Sequence, residues 1–487
     1  MNTLCLLGLA AVAASGCTAI LGDDYTLSST KASSGTGGGG AAGAGGAGGA
    51  PGGAPLWSKS FGDGADQQIW EIAADGAGGV VLAGIFLGTV DFGGGPLGAK
   101  SGMDIFVARF DGQGNHLWSK AFGADGDQLL TGLAVDSAGN IVLCGGFSGQ
   151  VSFGGETLVS AGAVDAGGAD AFVAKLDGQG GHLWSRRYGD ALAQSALDVG
   201  IGPGDGIVVA GVYVGAMDFG AGPVAAGGPW DVFAVRLGTD GSPVWSQHFP
   251  GQDDPFKFAT VAVRGKKDLL LGGSFRPRLE LGKFVLESAN GKDLDGYLAS
   301  LDWATGEVLS ARQFSGPGRQ GVRTVRSDGT AGALVTGVFE QSIDFGAGPA
   351  ESAGGLDGFV ARYEADGALA WGTRFGGKGD DQGCRLAVGA GGDVALAGAF
   401  GGTMDLGGGP LQGVDAPDLF VAKLDAKGGH RWSRAFGGEL EQFEPRLALD
   451  AEGNVFVAAT FRGNIQVGAA TLTSAGNNDV WLAKLGP

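Results

Sequence analysis

Two short motifs recur as a pair along this chain and constrain its fold more than any other feature. The first motif reads DIFVARFD at residues 104–111, and the second reads HLWSKAFG at residues 116–123. The pair returns with few changes at 170–177 with 182–189 and at 418–425 with 430–437. Because each copy of such a unit buries its apolar face against its neighbours, the repeat predicts an array of one supersecondary structure.

The register of the second motif counts seven copies. We assign Trp371-Gly372 and Leu309-Ser310 to two of them, which gives spacings of 61 to 66 residues. The other copies carry Trp-Ser and begin at Trp57, Trp118, Trp184, Trp245 and Trp432. The fourth and fifth units depart most from the pattern, since Tyr297-Leu-Ala-Ser-Leu also lacks the usual basic residue. We therefore expect these units to be irregular.

Each unit reads as four β-strands, which we label A to D. In the first unit they are residues 69–74, 80–86, 105–110 and 117–122. β-Branched and aromatic residues fill these runs, and Gly or Asp ends them. Strands B and C are apolar at nearly every position, which indicates burial on both faces. The pattern predicts an all-β fold, a seven-bladed β-propeller with four antiparallel strands in each blade.

The two ends of the repeat region predict how the ring closes. Residues 479–487 end after strand C of the last unit, and residues 56–62 form a spare strand D before the first unit. We predict that this N-terminal strand pairs into the last blade. Such closure leaves no open sheet edge at the junction.

The repeat resembles a known family of bacterial proteins. Its elements are Asp-x-aromatic-x-Ala-Lys/Arg-Leu/Phe-Asp, then Trp-Ser-Lys/Arg-x-Phe-Gly, then Leu-Ala-x-Asp-x-x-Gly-Asn. Together they are similar to the SBBP-type seven-bladed β-propeller repeat, and the resemblance covers residues 56–487. It implies an extracytoplasmic protein, and it implies no particular activity.

The N-terminus reads as a targeting signal followed by a tether. Residues 4–14 form an apolar run that is too short to span a bilayer and is typical of a signal-peptide core. Ala14-Ser15-Gly16-Cys17 resembles a lipobox, so we predict a signal over residues 1–17 with lipid attachment at Cys17. A plain secretion signal and a misassigned start are the alternatives. Residues 18–55 are rich in Gly, Ala and Ser and predict a disordered tether.

This order of segments predicts where the protein acts. We expect it in the bacterial cell envelope, as an outer-membrane lipoprotein or at the cell surface, with secretion as the alternative. The membrane would be contacted through the lipid anchor only. The formal net charge of -19 argues against a nucleic-acid partner, whose phosphates would be repelled. We expect a monomer.

The longer loops define the expected working face. The A–B and C–D connections have the Asp/Gly composition of tight turns, whereas the D–A and B–C connections are longer and emerge on the opposite face. Each B–C connection carries an insertion, such as residues 89–97. Variable loops on a rigid scaffold commonly hold binding sites. We therefore expect a ligand on this face.

Two sets of repeated polar residues border that face. One is a glutamine near the start of strand A, and we predict that these side chains form a ligand-binding collar: Gln67, Gln128, Gln194, Gln320, Gln382 and Gln442. The alternative is that the amides tie neighbouring loops together. The other set opens strand C, and we interpret it as structural because a ligand site normally breaks symmetry: Asp104, Asp170, Asp231, Asp295, Asp357, Asp418 and Asp479.

The chain shows no motif of a known catalytic class, such as GxSxG, HExxH or a Walker loop. The histidines lie beside or in strand D of different units, where they cannot converge on one metal: His116, His182, His248 and His430. We predict no catalytic residue, no metal site and no cofactor. The sequence favours a non-catalytic binding or display module for a protein or glycan. A propeller-based polysaccharide lyase or hydrolase and a structural envelope component are the alternatives.

Overall fold

The computed structural model describes residues 52–162, 168–252, 259–288, 291–413, 417–438 and 445–487, with only the backbone of residues 383 and 384. The predicted signal, the lipid site at Cys17 and residues 18–51 of the tether lie outside these residues, as does Gln442. The described part is all-β apart from one 3-10 turn at Pro203–Asp205. It contains no helix that is long and apolar enough to cross a membrane.

Seven antiparallel sheets of four strands each are arranged around a common axis, which confirms the predicted β-propeller. From strand A, nearest the axis, to strand D at the rim, blade 1 consists of Gln67–Ala74, Val80–Phe86, Asp104–Phe110 and His116–Phe122. Blades 2 and 3 consist of Gln128–Val135, Ile141–Phe147, Asp170–Leu176 and His182–Tyr188, and of Gln194–Ile201, Ile207–Tyr213, Asp231–Leu237 and Pro243–Phe249.

The second half of the ring repeats this order. Blades 4 and 5 consist of Ala259–Arg264, Asp268–Phe275, Asp295–Asp302 and Val308–Phe314, and of Gln320–Ser327, Ala333–Asp344, Pro349–Tyr363 and Leu369–Phe375. Blades 6 and 7 consist of Asp381–Val388, Val394–Phe400, Asp418–Leu424 and His430–Phe436, and of Arg446–Leu449, Val455–Phe461, Asp479–Leu485 and Pro55–Phe61.

The N-terminal strand closes the ring as predicted. Pro55–Phe61 pairs antiparallel with Asp479–Leu485 and becomes strand D of blade 7. The backbone N–H of Gly53 also donates a hydrogen bond to the carbonyl of Gly486, which follows strand C of the last blade, over 3.2 Å. The sheet of blade 7 therefore contains strands from both ends of the repeat region, and this closes the ring between blade 7 and blade 1.

The core lies between neighbouring blades. In blade 1 every residue of strand B, Val80–Phe86, is buried, and strand C is buried at all positions but one. Full burial of one such aliphatic or aromatic side chain stabilises a fold by about 1.5–3 kcal/mol. The near-continuous apolar runs are therefore explained by blades that pack on both sides of each sheet.

The B–C insertions form short ribbons at the rim. Their paired strands are Thr89–Val90 with Leu97–Gly98, Gln150–Val151 with Leu158–Val159, Ala216–Met217 with Val224–Ala225, Thr403–Asp405 with Pro410–Gln412, and Asn464–Val467 with Ala470–Thr473. In blade 4 the ribbon has three strands, Gly251–Gln252, Arg278–Leu281 and Phe284–Glu287. In blade 5 strands B and C extend directly into the ribbon.

In blades 1, 2 and 3 an aromatic residue of the ribbon fills the seam between two blades. Phe92 is only 1% exposed, and its ring centroid lies 5.1 Å from that of Phe61 in blade 7 and 4.9 Å from that of Phe106 in blade 1. Phe153 has the same position between blades 1 and 2, 5.5 Å from Phe122. The repeated part of the insertions, which we expected to carry binding loops, is therefore packing framework.

Blade 4 corrects the register that we assigned to the second motif. Strand pairing places Arg109 opposite Trp118 in blade 1 and Ser300 opposite Ser310 in blade 4. Ser310, and not Leu309, therefore stands where the tryptophan stands elsewhere, so the assignment was wrong by one residue. In the C–D turn of blade 4 the N–H of Gly306 bonds the carbonyl of Asp302, four residues earlier, whereas the usual turn bonds three residues earlier. The extra residue shifts strand D by one position along the sequence.

Candidate functional site

The predicted glutamines are buried at the start of strand A. Gln67 is 0% exposed, and its amide Nε2 donates to the Asp63 carboxylate over 2.9 Å and to the Leu87 carbonyl over 3.2 Å. It thereby joins the D–A loop to the B–C connection of its own blade. The same connections are made by Gln128, Gln194 and Gln320, all of them 0% exposed.

Blade 6 uses a different residue at this position. Asp381 lies opposite Phe400, as Gln67 lies opposite Phe86, and it accepts the N–H of Gly377 over 2.6 Å. Gln382 is the next residue along the strand and is only partly buried. The amide nitrogens of the four glutamines and the Asp381 carboxylate thus bond the protein's own loops, whereas Oε1 of Gln128 and of Gln320 is buried without a hydrogen-bond partner among the described residues.

The aspartates that open strand C are buried as well. Asp104 is 1% exposed, and its Oδ2 accepts the N–H of Lys100 over 2.9 Å. Asp170, Asp357 and Asp479 accept equivalent bonds from the residue at the turn before strand C, over 2.7–2.9 Å. Asp231 accepts the N–H of Gly227, Asp295 accepts the amide of Gln313, and Asp418 is likewise buried.

These carboxylates explain the glycine after strand D. A Cβ added at Gly123 would overlap the carboxylate of Asp104, and one at Gly62 would overlap that of Asp479. Only glycine leaves room for the buried acid at this approach. The Phe-Gly ending of the second motif and the aspartate of the first motif are therefore two halves of one contact.

Burial makes Asp479 a titrating group of the fold. Desolvation raises its pKa to about 6, although the hydrogen bond from Ala475 opposes the shift. Between pH 3.8 and about 6 the folded state therefore holds a proton on Asp479 that the unfolded state has released. The stability that this proton adds is fully present below pH 3.8 and is lost as pH rises through about 6. Asp479→Asn should remove this dependence, which changes by at most about 1.4 kcal/mol per pH unit.

Urea unfolding at several pH values between about 4 and 7 measures the effect. Asp450→Asn is the matched control and should leave the pH dependence in this window unchanged, because its own effect has the opposite sign and falls at lower pH. Burial raises the pKa of Asp450, but its bonds to Lys484 and Asn454 lower it overall, so its stability is present above its usual pKa and lost in acid. Parallel pH profiles for wild type and Asp479→Asn would contradict the assignment.

Charged residues that break the sevenfold symmetry lie in strand A, around the axis. In blade 1 a β-bulge between Ile69 and Glu71 interrupts the pairing with strand B. The same bulge occurs in blades 2, 3, 5 and 6. A bulge re-aims the side chain that follows it. In blade 1 that side chain is Glu71, which stands in an otherwise apolar run.

Glu71 binds arginines from two other blades. Its Oε1 lies 3.7 Å from Nη1 of Arg385 in blade 6 and 3.6 Å from Nε of Arg446 in blade 7. Arg446 also donates to the carbonyl of Trp70, the neighbour of Glu71. The side chain of Arg446 is only 6% exposed and that of Glu71 is 17% exposed. This contact therefore joins blades 6, 7 and 1 in a partly dehydrated environment.

Asp198 makes the equivalent contact in blade 3. Its Oδ2 accepts the hydroxyl of Thr260 over 2.8 Å and the N–H of Val261 over 2.9 Å, both in blade 4. The same oxygen lies 3.7 Å from Nη1 of Arg326 in blade 5. Three arginines of blades 5 to 7 thus contact two carboxylates of blades 1 and 3, and Arg323 adds a further buried guanidinium on strand A of blade 5.

We call Glu71, Asp198, Arg326, Arg385 and Arg446 the axial cluster. Burial raises the pKa of Glu71, while Arg385 and Arg446 oppose the shift and Asp198 adds to it. Among the described residues, three arginines of the cluster lie near two carboxylates, although the whole chain carries a net charge of -19. Guanidinium groups in a partly dehydrated channel attract an anionic group more strongly than the same groups would on an open surface.

The sequence contained a signal for this cluster that the repeat pattern concealed. The core between the blades excludes an unpaired charge, so a charged residue in the middle of strand A indicates a polar contact near the axis. The charged positions differ in sign and identity from blade to blade. Because these residues do not recur, the repeat pattern does not indicate the cluster.

The histidines do not form a site. His116 and His182 each bond a serine three residues along the same strand, with ring nitrogen to hydroxyl distances of 3.0 and 3.1 Å. His430 does the same, and His248 bonds Tyr213. Across the described ranges, no three side chains of the His, Cys, Asp or Glu type are grouped in a way that could hold a metal ion.

Comparison with known proteins adds one similarity in sequence. No family model matches the chain. The chain is similar to the regulatory protein FlaEY of Caulobacter vibrioides, with 25% identity over 420 residues that cover 80% of this chain and 43% of that protein. It therefore spans less than half the length of this relative.

Two solved structures align with the chain at low identity. A puromycin hydrolase aligns with a TM-score of 0.45 and 13% identity, over 84% of this chain and 54% of that chain. A catalytically inactive virginiamycin B lyase from Staphylococcus aureus with quinupristin aligns with a TM-score of 0.42 and 10% identity, over 88% of this chain and 99% of that chain. By its own strand order and pairing the chain is a seven-bladed β-propeller, and it is similar in sequence to part of a bacterial regulatory protein.

Proposed function

We propose that the protein is a non-catalytic binding module whose axial cluster takes an anionic group of a protein or glycan ligand. The observation that supports it is the placement of Arg326, Arg385 and Arg446 in the channel, where they lie close to Glu71 and Asp198. Arginine binds carboxylate, sulfate and phosphate groups through paired N–H donors. An anionic ligand group would share these guanidinium donors with Glu71 and Asp198.

The display of this module follows from the N-terminal segments. A lipid on Cys17 and a Gly-rich tether would hold the propeller at the bacterial cell surface, with no contact to nucleic acid. A monomer with one axis presents one such site. The relative is named a regulatory protein, and regulation through binding is compatible with a module of this kind.

An array of uronate-containing, sulfated and neutral glycans together with acidic peptides tests the proposal on the purified protein. We expect binding that is restricted to anionic probes and weakens at high salt, because screening reduces the attraction. Arg385→Gln should weaken it by about tenfold or more, the effect of about 1.4 kcal/mol in binding free energy.

Arg431→Gln is the matched control. Arg431 lies in the same blade on the outermost strand, is 52% exposed and pairs with Asp393 away from the axis. We expect it to leave binding unchanged. Binding of neutral probes that Arg385→Gln does not alter would refute the axial site. Release of new chain ends from a bound glycan would favour the hydrolase or lyase alternative instead.

A further inference from the structure

Five of the seven blade junctions share one tryptophan contact. In each, the indole N–H of strand D donates to the second carbonyl of the next blade's C–D turn, over 2.9–3.1 Å. The pairs are Trp57 with Gly112, Trp118 with Gly178, Trp184 with Thr239, Trp245 with Trp303 and Trp371 with Ala426. Each indole also covers the glycine of that turn, namely Gly114, Gly180, Gly241, Gly306 and Gly428.

The sixth junction, between blades 6 and 7, reaches the same packing by another route. Gly52 and Gly53 lie directly against the indole of Trp432. Arg434 donates to the carbonyl of Gly52 over 3.0 Å, just as Lys120 donates to the turn glycine of the next blade. The indole is therefore covered at this junction too.

The seventh junction, between blades 4 and 5, lacks its indole. Ser310 stands in the tryptophan register there. By register, Ala365 supplies the carbonyl and Gly367 the glycine that the missing ring would meet. The space over Gly367 is open to at least 4 Å, in contrast to the five glycines covered by tryptophan.

A cavity of about 570 Å³ occupies this position. Its walls include Leu270, Leu298 and Ala333, all buried and apolar. At its edge Arg312 donates to the Gly367 carbonyl over 2.8 Å and stacks over the ring of Tyr363 at 4.7 Å. Pockets that bind small groups are commonly about 300–1,000 Å³. The cavity thus has one apolar wall, a backbone acceptor and sufficient volume for an indole.

The polar side chains on one wall of the cavity bond one another. Arg264 pairs with Asp268 and donates to the hydroxyl of Ser300 over 3.1 Å, and this hydroxyl donates to Asp268 over 3.0 Å. In the other blades a Lys or Arg of strand C occupies the position of Ser300, as Arg109 does in blade 1. The network offers no net charge to a ligand, which favours a neutral group.

We propose that this cavity binds the indole side chain of a tryptophan presented by a partner polypeptide. The bound ring would lie over Gly367 and donate its N–H to the carbonyl of Ala365, as the protein's own tryptophans do at five other junctions. Ser310 lies on the outermost strand of its sheet, and no strand of the described residues pairs with the outer edge of that strand. An extended segment can add to such an edge through its backbone and present one side chain inward.

Fluorine NMR of N-acetyl-5-fluorotryptophanamide added to the full protein tests the proposal. We expect line broadening that saturates and is reversed by unlabelled N-acetyltryptophanamide. The 1-methyl analogue, which lacks the N–H donor, should bind at least tenfold more weakly. Ser310→Trp should fill the cavity from within, abolish the broadening and raise the melting temperature.

Leu117→Trp is the matched control, because it adds an exposed tryptophan on strand D of blade 1. It should change neither the binding nor the melting temperature. Equal binding of the probe by wild type and folded Ser310→Trp would overturn the proposal. So would equal affinity for the 1-methyl analogue, a result that does not depend on any variant folding. Tighter binding of indole-3-acetate than of N-acetyltryptophanamide would overturn the assignment to a polypeptide.

Discussion

Deletion of residues 1–61 should abolish the folded ring, whereas deletion of residues 1–51 should leave it intact. The longer deletion removes strand D of blade 7, and with it six residue pairings to the strand Asp479–Leu485. Phe61 packs 5.1 Å from Phe92 and 5.3 Å from Phe110, so the seam between blades 7 and 1 is also opened. We expect a loss of more than about 5 kcal/mol, at the upper end of what local changes cause.

The exposed strand adds a second consequence. All seven residues of Asp479–Leu485 are buried in the closed ring, and the deletion leaves them as an unprotected apolar edge. Such edges pair with other chains. We therefore expect aggregation in size-exclusion chromatography together with loss of the cooperative thermal transition.

A peptide of residues 52–62 provides the rescue control. Added in trans, it should restore the transition by strand addition, and a scrambled peptide should not. The shorter deletion keeps Gly52 and Gly53, which cover Trp432, so its melting temperature should match that of the full chain. A monomeric, cooperatively folding 62–487 fragment without peptide would contradict the closure role of this strand.

The architecture could be predicted from the sequence because its determinants are local and repeated. Asp104 and Gly123 recur in most units, since each blade must bury the same carboxylate against the same glycine. The spare Trp-Ser strand at residues 56–62 could only be accommodated by pairing with the last unit. Because both features follow from the repeat, the sequence alone predicts them.

The axial cluster could not be predicted in this way, because its members do not repeat. Glu71, Asp198 and Arg385 come from blades 1, 3 and 6, and only the ring brings them to one channel. The bulge that turns Glu71 toward the axis has no residue signature of its own. The register at Ser310 was lost for a related reason, since a longer turn shifts the motif without changing its composition.

Replacement of Glu71 by glutamine should lower the stability of the protein by about 3 kcal/mol at neutral pH, because removal of one partner from a buried ion pair leaves its counter-charges uncompensated. Arg385 and Arg446 share this carboxylate, and the second of them is almost fully buried. Glutamine keeps the size and removes the charge. Burial raises the pKa of Glu71, so the wild type gains stability as pH falls through this pKa while the variant does not, and the difference between them should grow in acid.

Glu364→Gln is the control for this substitution. Glu364 pairs with Arg362 on the turn face and is 51% exposed, and such surface pairs contribute about 0–1 kcal/mol. Chemical denaturation of the two variants and wild type at the same ionic strength gives the comparison. An equal loss of unfolding free energy in both variants would show that the contacts of Glu71 contribute no more than an exposed surface pair.

The same variant links stability to the proposed anion site. Without Glu71 the channel carries one more net positive charge, so inorganic sulfate should bind there more tightly and restore part of the lost stability. A ligand that binds only the folded state at 100 times its dissociation constant adds about 2.7 kcal/mol. We therefore expect sulfate to raise the melting temperature of Glu71→Gln more than that of wild type or Glu364→Gln, with chloride at matched ionic strength as the reference. If sulfate stabilises all three proteins equally, the excess of arginines at the axis does not form an anion site, and the proposed function loses its support.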